Sequence, residues 1–298
     1  MTGRIGCFTD DAARTRVLTA YDRAMEYWPE PREERDVPTG FGRTRVHVHG
    51  AGDRIPVVLL HGQSATPAEW APHVAPLARQ GRRVLAVDRV GEPGYSTQSR
   101  EIGDAADTAV WLEETLSGLG LERVHLIGHS YGGAVALRHA VRSPERVASV
   151  AVYEPPRALA PLKPGFLLGA VAAFASGSEN LQRRWFTRLI GETGAAPEEA
   201  EVGARLSLEA IRGFRIRLPQ PQRMTDEELR SVAVPALVVL GGADRVMDSR
   251  RAEARARRLM PDVRTEIVPG AAHGIPVSAF NARVSEFLDE VEPVRTGG

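Results

Sequence analysis

Six short apolar runs punctuate the 298-residue chain: "IPVVLLHG" (55–62), "RRVLAVDRVG" (82–91), "RVHLIG" (123–128), "RVASVAVYEPP" (146–156), "VPALVVLGGAD" (234–244) and "RTEIVPGAAHG" (264–274). Each closes on a turn residue, as a short buried strand does. Helix-patterned stretches separate them, near 104–118, behind residue 130, across 249–259 and in "VSAFNARVSEFLDEVE" (277–292). This alternation predicts an α/β fold, a mostly parallel central sheet with helices on both faces. "TRVHVHG" (44–50) alternates residue by residue and reads as one more strand.

Two stretches depart from the rhythm. Residues 156–231 are helical in pattern, broken by Pro and Gly, and hold no convincing strand. They predict a helical cap inserted over one end of a core made of residues 37–155 and 232–298. At the N-terminus, Val17, Leu18, Tyr21, Met25 and Trp28 recur at helical spacing, with Thr9 or Asp10 as cap and Pro29 and Pro31 as stop. "EPREERD" (30–36) then reads as a mobile linker, so residues 1–36 form a helix and linker ahead of the core.

Composition excludes several classes. With formal net charge zero and pI about 7.1, nothing favours nucleic acid or an anionic membrane. "RRAEARARRLM" (250–260) is a solvated helix face. Cys7 is the only cysteine, which rules out an intrachain disulfide. The first 16 residues lack the apolar core of a signal peptide, and the longest apolar run, "FLLGAVAAFA" (166–175), is half of the roughly 20 residues that span a bilayer. A cytoplasmic protein is expected. Lys163 is the only lysine among 38 Lys and Arg residues, a bias of high-GC bacterial genomes.

Chemistry concentrates in loops that follow strands. "GHSYGG" (128–133) sets Ser130 between glycines, with a strand-like run before and a helix-like run after. Acyl transfer needs a serine oxygen held clear of its backbone, and a sharp strand-to-helix turn does this only where small residues flank it. The base is His273, in the loop after a strand. The acid is Asp244, again just past a strand, with Glu154 as a rival at the end of "VAVYEPP" and Asp248 as a weaker one that begins a helix. For the oxyanion, "HGQ" (61–63) places the Gln63 N–H beside that of Tyr131. His47 and His49 share a strand face, but no third ligand stands near, so an exposed face is expected rather than a metal pair. No dinucleotide fingerprint, phosphate loop or metal constellation is present, and no cofactor is expected.

With these segments in order, the chain resembles the α/β-hydrolase superfamily from about residue 37 to 290. The "HG" turn, the "GHSYGG" elbow, the "GGAD" acid loop and the "AAHG" histidine loop carry the resemblance. "DRVGEPGYST" (88–97) resembles the family's Asp-x-x-Gly-x-Gly-x-Ser loop with one extra residue. "YDRAMEYWPEPREERDVPTGFG" and "TDEELRSVAVPALVVLG" look like a bacterial carboxylesterase-like subgroup. The resemblance implies an α/β-hydrolase fold and a serine hydrolase acting on an ester, thioester or lactone of a small, partly apolar molecule. Dehalogenases and epoxide hydrolases of similar fold carry aspartate where Ser130 stands, and the "HGGG" hole of many lipases is replaced here by Gly62-Gln63-Ser64. The alternatives are a biosynthetic lyase, cyclase or carbon–carbon-cleaving enzyme with His273 as base, and a non-catalytic ligand receptor.

Overall fold

The computed structural model describes residues 5–79 and 81–292. In chain order its elements are β1 (Cys7–Phe8), α1 (Asp11–Met25), β2 (Arg32–Thr39), β3 (Gly42–His49), β4 (Val57–Leu60), α2 (Ala71–Ala78), β5 (Val84–Asp88), β6 (Thr97–Gln98), α3 (Ala105–Gly118), β7 (Val124–His129), α4 (Tyr131–Arg142) and β8 (Val147–Tyr153). There follow α5 (Pro164–Ala175), α6 (Glu179–Ile190), α7 (Pro197–Gly213), β9 (Phe214–Arg215), α8 (Asp226–Arg230), β10 (Ala236–Gly241), α9 (Ser249–Leu259), β11 (Val263–Val268) and α10 (Val277–Val291). A single-turn 3-10 helix, Pro67–Trp70, leads into α2.

The main sheet runs β11-β10-β8-β7-β4-β5-β3-β2, with β6 paired to β3 off this path. From β11 to β5 every neighbour is parallel, whereas β3 is antiparallel to both β5 and β2. Two apolar layers enclose the sheet. Val58, Leu60, Leu126, Val152 and Val238 point to one side and pack with α3, α4 and α9. Val57, Leu59, Ile127, Ala151 and Val239 alternate to the other and pack with α1, α2 and α10. Being buried on both faces, these strands read as unbroken apolar runs. Among the described residues no helix is long and apolar enough to cross a membrane.

Three details correct the sequence reading. The supposed linker enters β2, an edge strand whose charges are used across the pair: Arg45 meets Glu34 and Asp36 on its neighbour, and Val37 is the one buried side chain of the strand. Charged residues suit an edge, where they discourage pairing with another chain. Within 156–231 a short strand does form, since β9 pairs antiparallel with β1 near the N-terminus. Finally, His47 is not exposed: α1 covers it, and its Nε2 lies 2.9 Å from the Tyr21 hydroxyl. His49 is bonded at Nδ1 to the Pro31 carbonyl, 3.0 Å away.

Candidate active site

Ser130 stands at the corner between β7 and α4 with φ +50° and ψ −116°, a conformation few non-glycine residues adopt. Its N–H donates to the Tyr153 carbonyl (2.9 Å) and its carbonyl accepts from Ala134 N–H (3.1 Å), so the strained residue is bound on both sides. The crowding explains the flanking glycines. A Cβ on Gly128 would lie 2.4 Å from the Gly132 carbonyl oxygen, and one on Gly132 would lie 2.0 Å from that of Leu60.

The loops after β11 and β10 bring two more side chains to this corner. His273 Nε2 is 3.0 Å from Ser130 Oγ, and its Nδ1 is 3.0 Å from Asp244 Oδ1. Asp244 also accepts from the N–H groups of Val246 (3.2 Å) and Met247 (2.8 Å). Burial opposes its charge, yet His273 and these amides hold the carboxyl below its usual range. For His273 burial lowers the imidazole below its ordinary 6.5 even against the pull of Asp244. A neutral imidazole with Nδ1–H on a carboxylate and Nε2 facing a hydroxyl can accept that hydroxyl's proton.

Glu154 and Asp248 stand differently. The Glu154 carboxyl accepts from Gly241 N–H and from the Ser249 hydroxyl, and is not a hydrogen-bond partner of the His273 ring. Burial, with the Asp244 charge beside it, pushes its carboxyl well above the ordinary range, toward the neutral acid. Asp248 caps α9 by accepting from Arg251 N–H. Atoms of Glu154, Asp244 and His273 lie within 4.8 Å of one another, a spacing that could hold an ion. Here, however, His273 Nδ1 is engaged by Asp244, and burial disfavours the charged form of Glu154 that a metal ion would need.

Across the cleft, the 61–64 turn is pinned from below by two carboxylates. Glu69 Oε1 accepts Gly62 N–H (2.9 Å) and Glu92 Oε2 accepts Ser64 N–H (3.0 Å). Between them the Gln63 N–H has no protein acceptor among the described residues, and neither has that of Tyr131, the first residue of α4. Both residues line the cleft with Ser130. Arg89 neutralises Glu92 at 2.6 Å, and His61, pushed by burial and the Arg89 charge to about 3, spans Gly62 O and Arg89 N–H as a neutral ring. The extra residue of the 88–97 loop is accommodated because Asp88 accepts Tyr95 N–H (2.6 Å) and Ser96 N–H (3.2 Å) and closes it. Glu69 carried no signal in the sequence, and Arg89 and Glu92 stand at positions that the pattern of the 88–97 loop leaves open.

A cavity of about 910 Å³ opens over Ser130 and His273. Phe166, Phe174, Trp185, Phe186 and Ile190 of α5 and α6 line it, with Leu206 of α7. Trp185 also stacks near Phe166 and Phe174, both at 5.7 Å between ring centres, so it joins α5 to α6 as well as facing the cavity. The end of α6 is bound to the histidine loop: Leu189 and Ile190 carbonyls accept the N–H groups of His273 (3.1 Å) and Gly274 (2.9 Å).

A parallel sheet with a serine at its strand-to-helix corner, facing a histidine and an aspartate from later loops, defines a hydrolase of the α/β class. The chain belongs to the alpha/beta hydrolase family, whose model matches residues 57–287, and within it to the carboxylesterase-like serine hydrolases. It is 32% identical over 284 residues to "Carboxylesterase YbfK" of Bacillus subtilis (strain 168), covering 92% of this chain and 93% of that one. It is 30% identical to "Uncharacterized carboxylesterase nap" of the same organism, covering 92% of each. The crystal structure of naproxen esterase (carboxylesterase NP) from Bacillus subtilis superposes with a TM-score of 0.84 at 29% identity, over 92% of this chain and 97% of that one.

Proposed function

We propose that this chain hydrolyses small, partly apolar carboxylic esters through an acyl-Ser130 intermediate, with His273 as general base and Asp244 as its orienting acid. The observation that carries the reading is the pair of 3.0 Å contacts linking Ser130, His273 and Asp244 in a line. His273 takes the Ser130 proton as Oγ attacks the ester carbonyl, and Asp244 stabilises the imidazolium and fixes the tautomer. The negative oxygen then falls to the free N–H groups of Gln63 and Tyr131, each worth about 3–4 kcal/mol to the transition state in comparable sites. Protonated at Nε2, His273 returns its proton to the departing alcohol, and then activates the water that releases the acid.

Residues 156–231 serve in this reading as a cap, with α5 and α6 supplying an aromatic wall for the acyl or alcohol part. Thioesters and lactones fit the same chemistry. The carboxylesterase relatives do not favour the lyase alternative. A cytoplasmic setting belongs to the same proposal, in keeping with the lone, free Cys7.

The test is labelling with a fluorophosphonate alongside turnover of a p-nitrophenyl ester series. Wild type labels at Ser130 and turns over the esters, and Ser130→Ala does neither. A wild type that neither labels nor turns over, or a Ser130→Ala variant that keeps its activity, sinks the acyl-enzyme.

A further inference from the structure

Glu69 and His129, neither of which touches the Ser130 hydroxyl, connect the two halves of the site. While Glu69 Oε1 holds the Gly62 N–H, its Oε2 faces His129 Nδ1 at 3.3 Å. The other ring nitrogen of His129, Nε2, lies 2.9 Å from the main-chain oxygen of His273. A carbonyl only accepts, so Nε2 carries hydrogen. The contact between Nδ1 and Oε2 then requires one proton, on the ring or on the carboxyl, and the pair is neutral overall either way. Burial pushes the Glu69 carboxyl up, but its contact with His129, helped by His61 and the Gly62 N–H, brings it below its usual value.

Each loop is already held by bonds of its own. Ser64 N–H is on Glu92, and the histidine loop is fixed by Leu189 and by the Tyr153 hydroxyl on the Ala272 carbonyl (2.6 Å). What Glu69 and His129 add is a connection between the loops, from the peptide preceding Gln63 to the backbone of His273. We propose that they are positioning residues for acyl transfer, setting the oxyanion donor at Gln63 in register with the imidazole that serves Ser130. The proposal rests on the serine-hydrolase reading above.

Reach, rather than charge, is the property at issue, and substitutions separate the two. In Glu69→Gln the amide oxygen still accepts from Gly62 while the NH2 group donates to a neutral His129 Nδ1. Glu69→Asp keeps the charge but is one methylene too short to meet both partners. For p-nitrophenyl acetate, Glu69→Ala, Glu69→Asp and His129→Leu are each expected to lower kcat about tenfold or more with KM within about threefold, and Glu69→Gln to stay within about threefold of wild type. The Glu69→Ala/His129→Leu double variant falls no further than the worse single one, because the two act as a unit.

Circular dichroism melts establish that each variant is folded. A Glu69→Ala enzyme within about twofold of wild-type kcat, a Gln variant as poor as Ala, or additive losses in the double variant overturns the proposal. Should Glu69→Ala fail to fold, the order of Gln and Asp decides alone, and Asp outperforming Gln overturns it. Fluorophosphonate labelling of wild type runs in parallel. Its failure removes the hydrolase reading, whereas normal labelling with unimpaired variants removes only the positioning role.

Discussion

Glu154 follows β8 with φ +45°, buried, while Asp244 follows β10, and the two carboxyls are shifted in opposite directions. Asp244 is surrounded by donors: the His273 ring and two main-chain N–H groups. Glu154 satisfies Oε1 with Gly241 and Ser249, but among the described residues its Oε2 has no hydrogen-bond partner, and it lies beside Asp244. Protonation eases that conflict, because a protonated Oε2 does not repel Asp244 and costs less to bury than a carboxylate. Glu154→Gln copies the neutral acid and is expected to keep kcat/KM within about threefold, whereas replacing the acid of a triad by its amide costs about 10⁴ in kcat. Glu154→Ala leaves Gly241 N–H unpaired and lowers stability by about 1–3 kcal/mol, read from urea unfolding. A Gln variant crippled by thousands would make Glu154, not Asp244, the functional acid.

At the scale of elements, the site depends on how closely α4 approaches β4. Gly132, in the first turn of α4, is the point of contact, and a Cβ there would sit 2.0 Å from a main-chain oxygen that cannot swing aside. Gly132→Ala is therefore expected to cost about 3 kcal/mol or more in chemical denaturation and to suppress labelling of Ser130, since relief requires moving α4 away. A variant as stable and reactive as wild type would mean that the helix has room. This elbow was legible in the sequence because its cause is local: glycines two residues either side of a serine, between an apolar run and a helix. The loops carrying Asp244 and His273 were legible for the same reason, each closing a strand. β2 was not, because "REERDVPT" looks like solvated chain until Arg45 and Arg43 of β3 supply its cross-strand partners. Nor was the contact of His129, a neighbour of the serine in sequence whose partner, His273, lies 144 positions away.

For the whole molecule, the distribution of buried histidines decides how it meets acid. Burial first, with neighbouring arginines in several cases, lowers His47 and His61 to about 3 and His73, His125 and His139 to about 4. All five are about 1% exposed. The unfolded chain binds a proton at each near 6.5 and the folded chain does not, so stability falls as pH drops from 6.5 toward the folded values. At pH 5 each such histidine costs about 2 kcal/mol. Asp244 and Glu69 act in the same direction at lower pH, since their depressed carboxyls lose their stabilising charge as pH falls through the folded values. Asp88, raised by burial to about 7, and Glu92, Glu154 and Glu199, raised by the same cause, oppose this, taking up protons in the folded state first. The five histidines outweigh these four carboxyls, and Tm is expected to fall steadily from pH 7 to pH 5 at constant ionic strength. His139 isolates one contribution, because neither of its ring nitrogens has a hydrogen-bond partner among the described residues. Relative to wild type, His139→Leu should gain about 2 kcal/mol between pH 7 and pH 5 in urea unfolding. Equal pH slopes for the two proteins would show that His139 takes up its proton in the folded state, through the Glu113 carboxylate 3.7 Å from its Nε2.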